Sequence, residues 1–289
     1  MAVGSNLASL NGYPFEVRYS DGARERALAS AEIAAHAYDY FRDLFSGVEP
    51  SMALIVANES DWSGRGPYGL PFFRDAPDEL RPGIVLMPAG ISDFWVGIAE
   101  DIRAASPRGY TKLLATYGDG AGGVDLQPFF DLITIHELGH AFEVLGDLRL
   151  PTFWLSEIFV NLALHAFIAT QRPESLPTLE VLSTVGAASR NLATRWRAHG
   201  YSTLEELQAH YTGGDDSMDP LNYVWYQCRW QRLAARMFDV DGEVGLKRFW
   251  ECFHAIDRVS GGATTPAALA PVLTKEVSPT LGRTIREWH

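Results

Sequence analysis

Thr134-Ile135-His136-Glu137-Leu138-Gly139-His140-Ala141-Phe142-Glu143 places His-Glu-x-x-His inside a run with helical spacing. Residues four apart on a helix share a face, so the imidazoles of His136 and His140 come near enough to hold one metal ion. Glu137 projects beside that ion and not into its ligand shell. From there a carboxylate takes a proton from a metal-bound water whose pKa zinc lowers toward 7. The chain has eight histidines, and at that frequency the pattern arises by chance in on the order of one such sequence in a hundred. Two histidines on a solvated helix face is therefore the weaker reading. Leu132, Ile133 and Ile135 predict burial at the start of the helix, and Gly139 keeps one flank slim for substrate or backbone to approach.

A catalytic zinc site needs a third protein ligand and one open position. A metzincin places histidine six residues after the second ligand, but position 146 is Gly146, which excludes that class. Asp147 follows, past the expected helix end. Glu157 begins the next helix, in Trp154-Leu155-Ser156-Glu157-Ile158-Phe159-Val160-Asn161, which can return toward the histidines after a short loop. An acid in a first helical turn is ordinary on electrostatic grounds alone. A carboxylate among Trp154, Ile158 and Phe159, however, is costly to bury without a partner. Glu157 is thus the expected third ligand, and Zn2+ the expected ion. Asn161, one turn on, is a candidate partner for a ligand histidine or an ordinary polar residue of the helix face. His165, a further turn on, reads as a core histidine.

Outward from this centre, the N-terminal half mixes strands and helices. Residues 15–19 predict a strand, and 22–45 a long Ala-rich helix with Asp21 placed to cap it. The apolar runs 52–57 and 84–87 predict strands, joined by an exposed Gly/Pro-rich loop over 63–82. A helix is expected over 91–105 and a glycine-rich break over 118–123. After Pro128 strand signals largely stop, and helical patterns follow at 129–145, 153–170, 177–199, 203–210, 223–238 and 242–256. The expected fold class is α+β: a mixed lobe over residues 1–147, including the histidine helix, and an all-helical lobe over 148–289.

Composition narrows the partners. With 24 basic against 36 acidic residues the net charge is −12, which repels phosphate backbones and anionic lipid surfaces, so neither nucleic acid nor membrane is expected. Residues 1–19 lack a basic cluster followed by an apolar run, which predicts a cytoplasmic protein. The apolar stretch 154–169 is interrupted by Glu157, Asn161 and His165 and reads as too short for a membrane span. Two cysteines, Cys228 and Cys252, predict buried free thiols.

His-Glu-Leu-Gly-His followed by Trp154-Leu155-Ser156-Glu157 resembles the gluzincin pattern, H-E-x-x-H then W-L-x-E-G-F-A, of the aminopeptidase N-like family. The spacing is slightly shorter here, and Ile158-Phe159-Val160 stands in place of Gly-Phe-Ala. The resemblance implies Glu157 as third zinc ligand and a thermolysin-like fold, with a twisted sheet over the active-site helix and a helical lobe closing the cleft. Tyr226-Gln227-Cys228-Arg229 resembles the family's Y-x-K-G helix, which implies Tyr226 as oxyanion donor, with Tyr223 the alternative. Residues 281–288 resemble the last helix of such modules. The resemblance covers the second half of the chain well and the first in outline. It implies hydrolysis of a peptide or protein substrate, with Glu137 as general base; a catalytically silent zincin-fold binding protein is the alternative. Substrate is expected to add as a strand near Ile84 to Met87. The family's aminopeptidases carry G-x-M-E-N there, whereas Met87 is followed by Pro88 and Ala89, so the grip on a free amino terminus is missing.

Overall fold

The computed structural model describes residues 7–62, 68–75, 82–197, 200–212, 219–255 and 265–288. The chain divides into two compact units, one of Met1–Glu100 and Tyr117–Asp147, the other of Asp101–Thr116 and Leu148–His289.

The first unit is built on a five-stranded mixed sheet of β1 (Ala8–Leu10), β2 (Glu16–Tyr19), β3 (Met52–Ala57), β4 (Phe72–Arg74) and β5 (Gly83–Pro88), in the order β1-β2-β3-β5-β4. The parallel trio β2, β3 and β5 forms the centre, in the register Val17↔Leu54 and Leu54↔Val85, and antiparallel β1 and β4 form the edges. Every residue of β3 is buried, as a run without alternation predicts for a central strand covered on both faces. Helix α1 (Arg24–Leu44) returns the chain from β2 to β3 and buries Ala27, Ala31, Ala34 and Phe41 at helical spacing. Helix α4 (Gln127–Leu145), which carries the two histidines, packs against α1, β4 and β5. Phe142 of α4 sits among the rings of Tyr38, Phe41 and Phe45, at centroid distances of 5.2, 5.5 and 6.0 Å. This aromatic contact anchors the histidine helix one half-turn past His140.

The second unit contains helices and no strand among the described residues. Its centre is α5 (Phe153–Gln171) against α9 (Pro220–Ala255), with α6 (Leu176–Ala188) and α7 (Arg190–Arg197) also packed on α9, and α8 (Leu204–Thr212) on α5. Gly186 permits the approach of α6, because a Cβ there would lie 2.5 Å from Cys228 Sγ. Helices α10 (Pro266–Val272) and α11 (Pro279–Arg286) close the chain. By length and composition α5 is long and apolar enough to cross a membrane, contrary to the expectation from sequence, yet 78% of its apolar window is buried within the protein.

Several expectations need correction. Asp21 does not cap α1: Ala23 holds that position and no side chain bonds there. The region read as a loop over 63–82 contains β4, although 63–67 and 76–81 lie outside the described residues. The segment read as one helix over 177–199 is two, because Ser189 leaves helical geometry and its hydroxyl accepts from the Leu192 amide at 3.3 Å. The expected helices over 223–238 and 242–256 run together in α9 and kink at Gly242, where φ 57° and ψ −151° suit glycine. The far ends of the two stretches, His199 and Ile256, lie outside the described residues. Helix α2 (Asp93–Ala105) is followed directly by α3 (Pro107–Tyr117), to which the sequence analysis assigned nothing. Asp101–Thr116 also groups with the second unit, where a single division after Asp147 was expected. Asp101 accounts for this: Arg195 pairs with it at 2.5 Å and Trp196 Nε1 donates to it at 3.3 Å.

Candidate metal centre

Helix α4 presents His136 and His140 one turn apart, with ring centroids 5.1 Å from each other. His136 and Glu137 are buried and His140 is partly exposed. One turn further, Glu143 is buried and its Oε2 lies 3.1 Å from His140 Nδ1. A carboxylate accepts and does not donate, so this contact selects the tautomer with hydrogen on Nδ1 and a lone pair on Nε2. A carboxylate behind a ligand histidine both orients the ring and raises its basicity. No role was expected of Glu143 from the sequence; its position three residues after His140 was the signal available.

Glu157 stands on the first full turn of α5, only 2% exposed among Trp154, Ile158 and Phe159. The cost of burying its carboxylate is met by donors from α9. Tyr223 Oη donates to Glu157 Oε1 at 3.0 Å, and Gln227 Nε2 donates to Oε2 at 2.6 Å. Gln227 Nε2 also donates to Tyr223 Oη at 2.7 Å. Asn161 Nδ2 donates to Gln227 Oε1 at 3.0 Å and to the Glu157 carbonyl at 2.7 Å. Glu157 with Asn161, and Tyr223 with Gln227, are i, i+4 pairs, so each helix offers two neighbouring groups from one face.

Among the described residues, His136, His140 and Glu157 form a group able to hold a metal ion: one ligand atom from each lies within 4.8 Å of the others. Two imidazoles and one carboxylate make a nitrogen-and-oxygen donor set that suits zinc and also other first-row divalent ions, so the donors alone do not fix the metal. Asp147, the competing candidate, is exposed beyond the end of α4 at φ 59° and does not belong to this group.

The two tyrosines part company. Tyr226 is fully buried, its Oη donates to the Thr203 carbonyl at 2.8 Å, and its ring stacks on Trp288 with an interplanar angle of 2°. Burial, then the nearby Glu206, pushes its pKa upward. It is a core residue with a satisfied hydroxyl, whereas the Tyr223 hydroxyl touches a candidate ligand. Asn161 bonds to Gln227 and to its own helix; the carboxylate of Glu143 takes the place beside a histidine for which Asn161 was considered. His165 is the core histidine expected: 2% exposed, with Gln231 Nε2 3.4 Å from its Nδ1 and burial lowering its pKa to about 4. Gln227 carried no role in the sequence analysis. Strand β5, named as the edge for substrate, is paired on both sides, and β4 is the edge on that side of the sheet.

The chain matches no protein-family model, no curated protein and no solved structure.

Proposed function

We propose that this chain is a zinc metallopeptidase of the gluzincin type with a thermolysin-like catalytic fold. The observation that carries the reading is the group of His136, His140 and Glu157, with Glu137 next to the first histidine on α4. His136, His140 and Glu157 hold the ion. Bound there, zinc supplies Lewis acidity toward a carbonyl and a water acidified enough to attack it at neutral pH. Glu137 accepts the proton of the attacking water and delivers it to the leaving amine. Tyr223 turns its hydroxyl from Glu157 to the developing oxyanion. Glu143 holds His140 in the tautomer that leaves Nε2 for the ion. An extended substrate adds as a strand to the edge of β4, Phe72–Arg74, in place of the internal β5.

Glu137→Gln tests the reading. The substitution keeps shape and hydrogen-bonding reach but removes the proton acceptor. Zinc content, measured by elemental analysis of protein never exposed to chelator, is expected to stay near one equivalent. Turnover of a quenched peptide library is expected to fall at least about a hundredfold. Loss of zinc in the variant would make Glu137 a ligand. Wild-type protein that binds zinc but cleaves no peptide would leave a binding protein with a zincin-like metal centre.

A further inference from the structure

Counting donors around Glu157 shows a circuit with one direction. The two hydrogens of the Asn161 amide go to the Glu157 carbonyl and to Gln227 Oε1, at 2.7 and 3.0 Å. That contact decides which way round the Gln227 amide sits, since only Oε1 can accept. Its two Nε2 hydrogens then go to Glu157 Oε2, at 2.6 Å, and to Tyr223 Oη, at 2.7 Å. With an N–H already pointing at its oxygen, the Tyr223 hydroxyl has its hydrogen left for Glu157 Oε1, at 3.0 Å. Each of these donors is used once, and each carboxylate oxygen receives a hydrogen from α9. The flipped Gln227 amide would set oxygen against oxygen at Glu157 Oε2 and N–H against N–H at Asn161, so the arrangement has no equivalent alternative.

We infer that Gln227 is the positioning residue of the metal centre: it fixes the rotation of the Glu157 carboxylate and the direction of the Tyr223 hydroxyl together. This rests on the proposed metal centre. Without the Gln227 amide, Glu157 Oε2 loses its 2.6 Å hydrogen bond and the Tyr223 hydroxyl loses the contact that polarises it. The rotation of the carboxylate is then less firmly held, and a ligand that must be ordered at the moment of binding binds more weakly. Asn161 acts one step removed, by holding the Gln227 amide the right way round.

The test uses the full chain with zinc and cobalt(II) as probes. Gln227→Met keeps the length of the side chain and removes both donors. Zinc affinity, measured by competition with a chromophoric chelator, is expected to fall about tenfold to a hundredfold, the usual range for an outer partner of a ligand. The visible d–d bands of the cobalt(II) protein are expected to change in position and intensity. The thermal midpoint of the metal-free variant separates this from general loss of packing, which would lower the midpoint and leave the bands alone. Asn161→Ala serves as a second variant, expected to shift affinity and bands in the same direction by less. Wild-type affinity and bands in both variants would overturn the role of Gln227 while leaving the metal centre standing. Wild-type protein that takes up neither probe overturns the metal centre, and this inference with it.

Discussion

His140 and Glu157 are both candidate ligands held by a second polar group, but the support comes from different distances along the chain. His140 is held by Glu143, three residues further along the same helix. Glu157 is held by Tyr223 and Gln227, 66 and 70 residues away on α9. The first contact follows from helix periodicity, because any residue at i+3 lies beside its neighbour. The second exists only once α5 and α9 have packed. Support of the first kind is a property of a segment, and support of the second kind is a property of the folded unit.

The largest effect belongs to the ligands themselves. Glu157→Ala is expected to weaken zinc binding by orders of magnitude, and Asp147→Ala to leave it nearly intact, by the same chelator competition. Asp147 lies close in sequence to the histidines but is exposed at φ 59°; Glu157 is the more remote of the two and is buried. The opposite ranking would remove Glu157 from the centre and with it the contrast between near and remote support.

Next in size is the pair of tyrosines on α9. Tyr223→Phe is expected, at saturating zinc, to slow peptide turnover about a hundred- to a thousandfold, the range for one lost oxyanion donor. Tyr226→Phe is expected to leave turnover close to wild type and to lower the unfolding free energy by about 0.5–1.5 kcal/mol, because one hydrogen bond to the Thr203 carbonyl is lost while that of the Leu207 amide, at 3.3 Å, remains. Equal effects of the two on turnover would mean that Thr203 and Trp288 belong to the working site.

This division explains what could be read from the sequence. The group of His136, His140 and Glu157 was legible because the two histidines lie within five residues at helical spacing and an acid among large apolar side chains demands a partner. The strands β2, β3 and β5 and helices α1, α4 and α5 were legible from apolar runs and helical periodicity, whereas the parallel pairing of the strands was not. What was missed depended on packing or on ambiguous punctuation. Tyr226 and Tyr223 look alike in a Trp- and Tyr-rich helix; only the fold tells them apart, by setting the Tyr226 hydroxyl on the Thr203 carbonyl and the Tyr223 hydroxyl on Glu157. Gln227 has no signature at all apart from its place on α9 facing Asn161. No element was expected over 107–117, although proline is suited to open a helix, as Pro107 does in α3. Strand β4 has three residues, too few for a period to be counted.

The near contact itself can be tested. Glu143→Ala is expected to lower zinc affinity about tenfold to a hundredfold, since His140 loses the acceptor that orders its ring. The same size of effect as in Gln227→Met would make near and remote support equivalent in strength, different only in legibility.

A fourth test uses a polar group on α5 that plays no part in the centre. His165 lies two turns beyond Glu157, close to Gln231 of α9 and Glu180 of α6. Burial lowers its pKa from 6.5 to about 4. Below pH 6.5 the unfolded chain therefore takes a proton that the folded chain refuses. Stability is expected to fall as pH drops from 6.5 toward 4, by up to about 1.4 kcal/mol per pH unit from this residue. In His165→Gln, denaturant unfolding of the metal-free protein should show a shallower decline over that window. An unchanged slope would mean that His165 titrates in the folded protein.

The smallest expected effect limits how far a nearby pattern can be trusted. Asp21 stands before α1 where a capping residue belongs, yet it is exposed, and the first turn of α1 takes no side-chain bond. Its contribution is a backbone one: the Asp21 carbonyl accepts from Asn58 Nδ2 at 3.0 Å. That bond survives truncation of the side chain, so Asp21→Ala is expected to change the unfolding free energy by less than about 0.5 kcal/mol. Ser278 provides the contrast within the same molecule. Its hydroxyl accepts from the Thr280 amide at the start of α11 and donates to Asp241 Oδ2 at 2.7 Å. Ser278→Ala is accordingly expected to cost about 0.5–2 kcal/mol, the range for a cap that is made. Chemical denaturation of the two variants side by side measures the difference. A loss in Asp21→Ala as large as in Ser278→Ala would show that Asp21 caps α1 in solution.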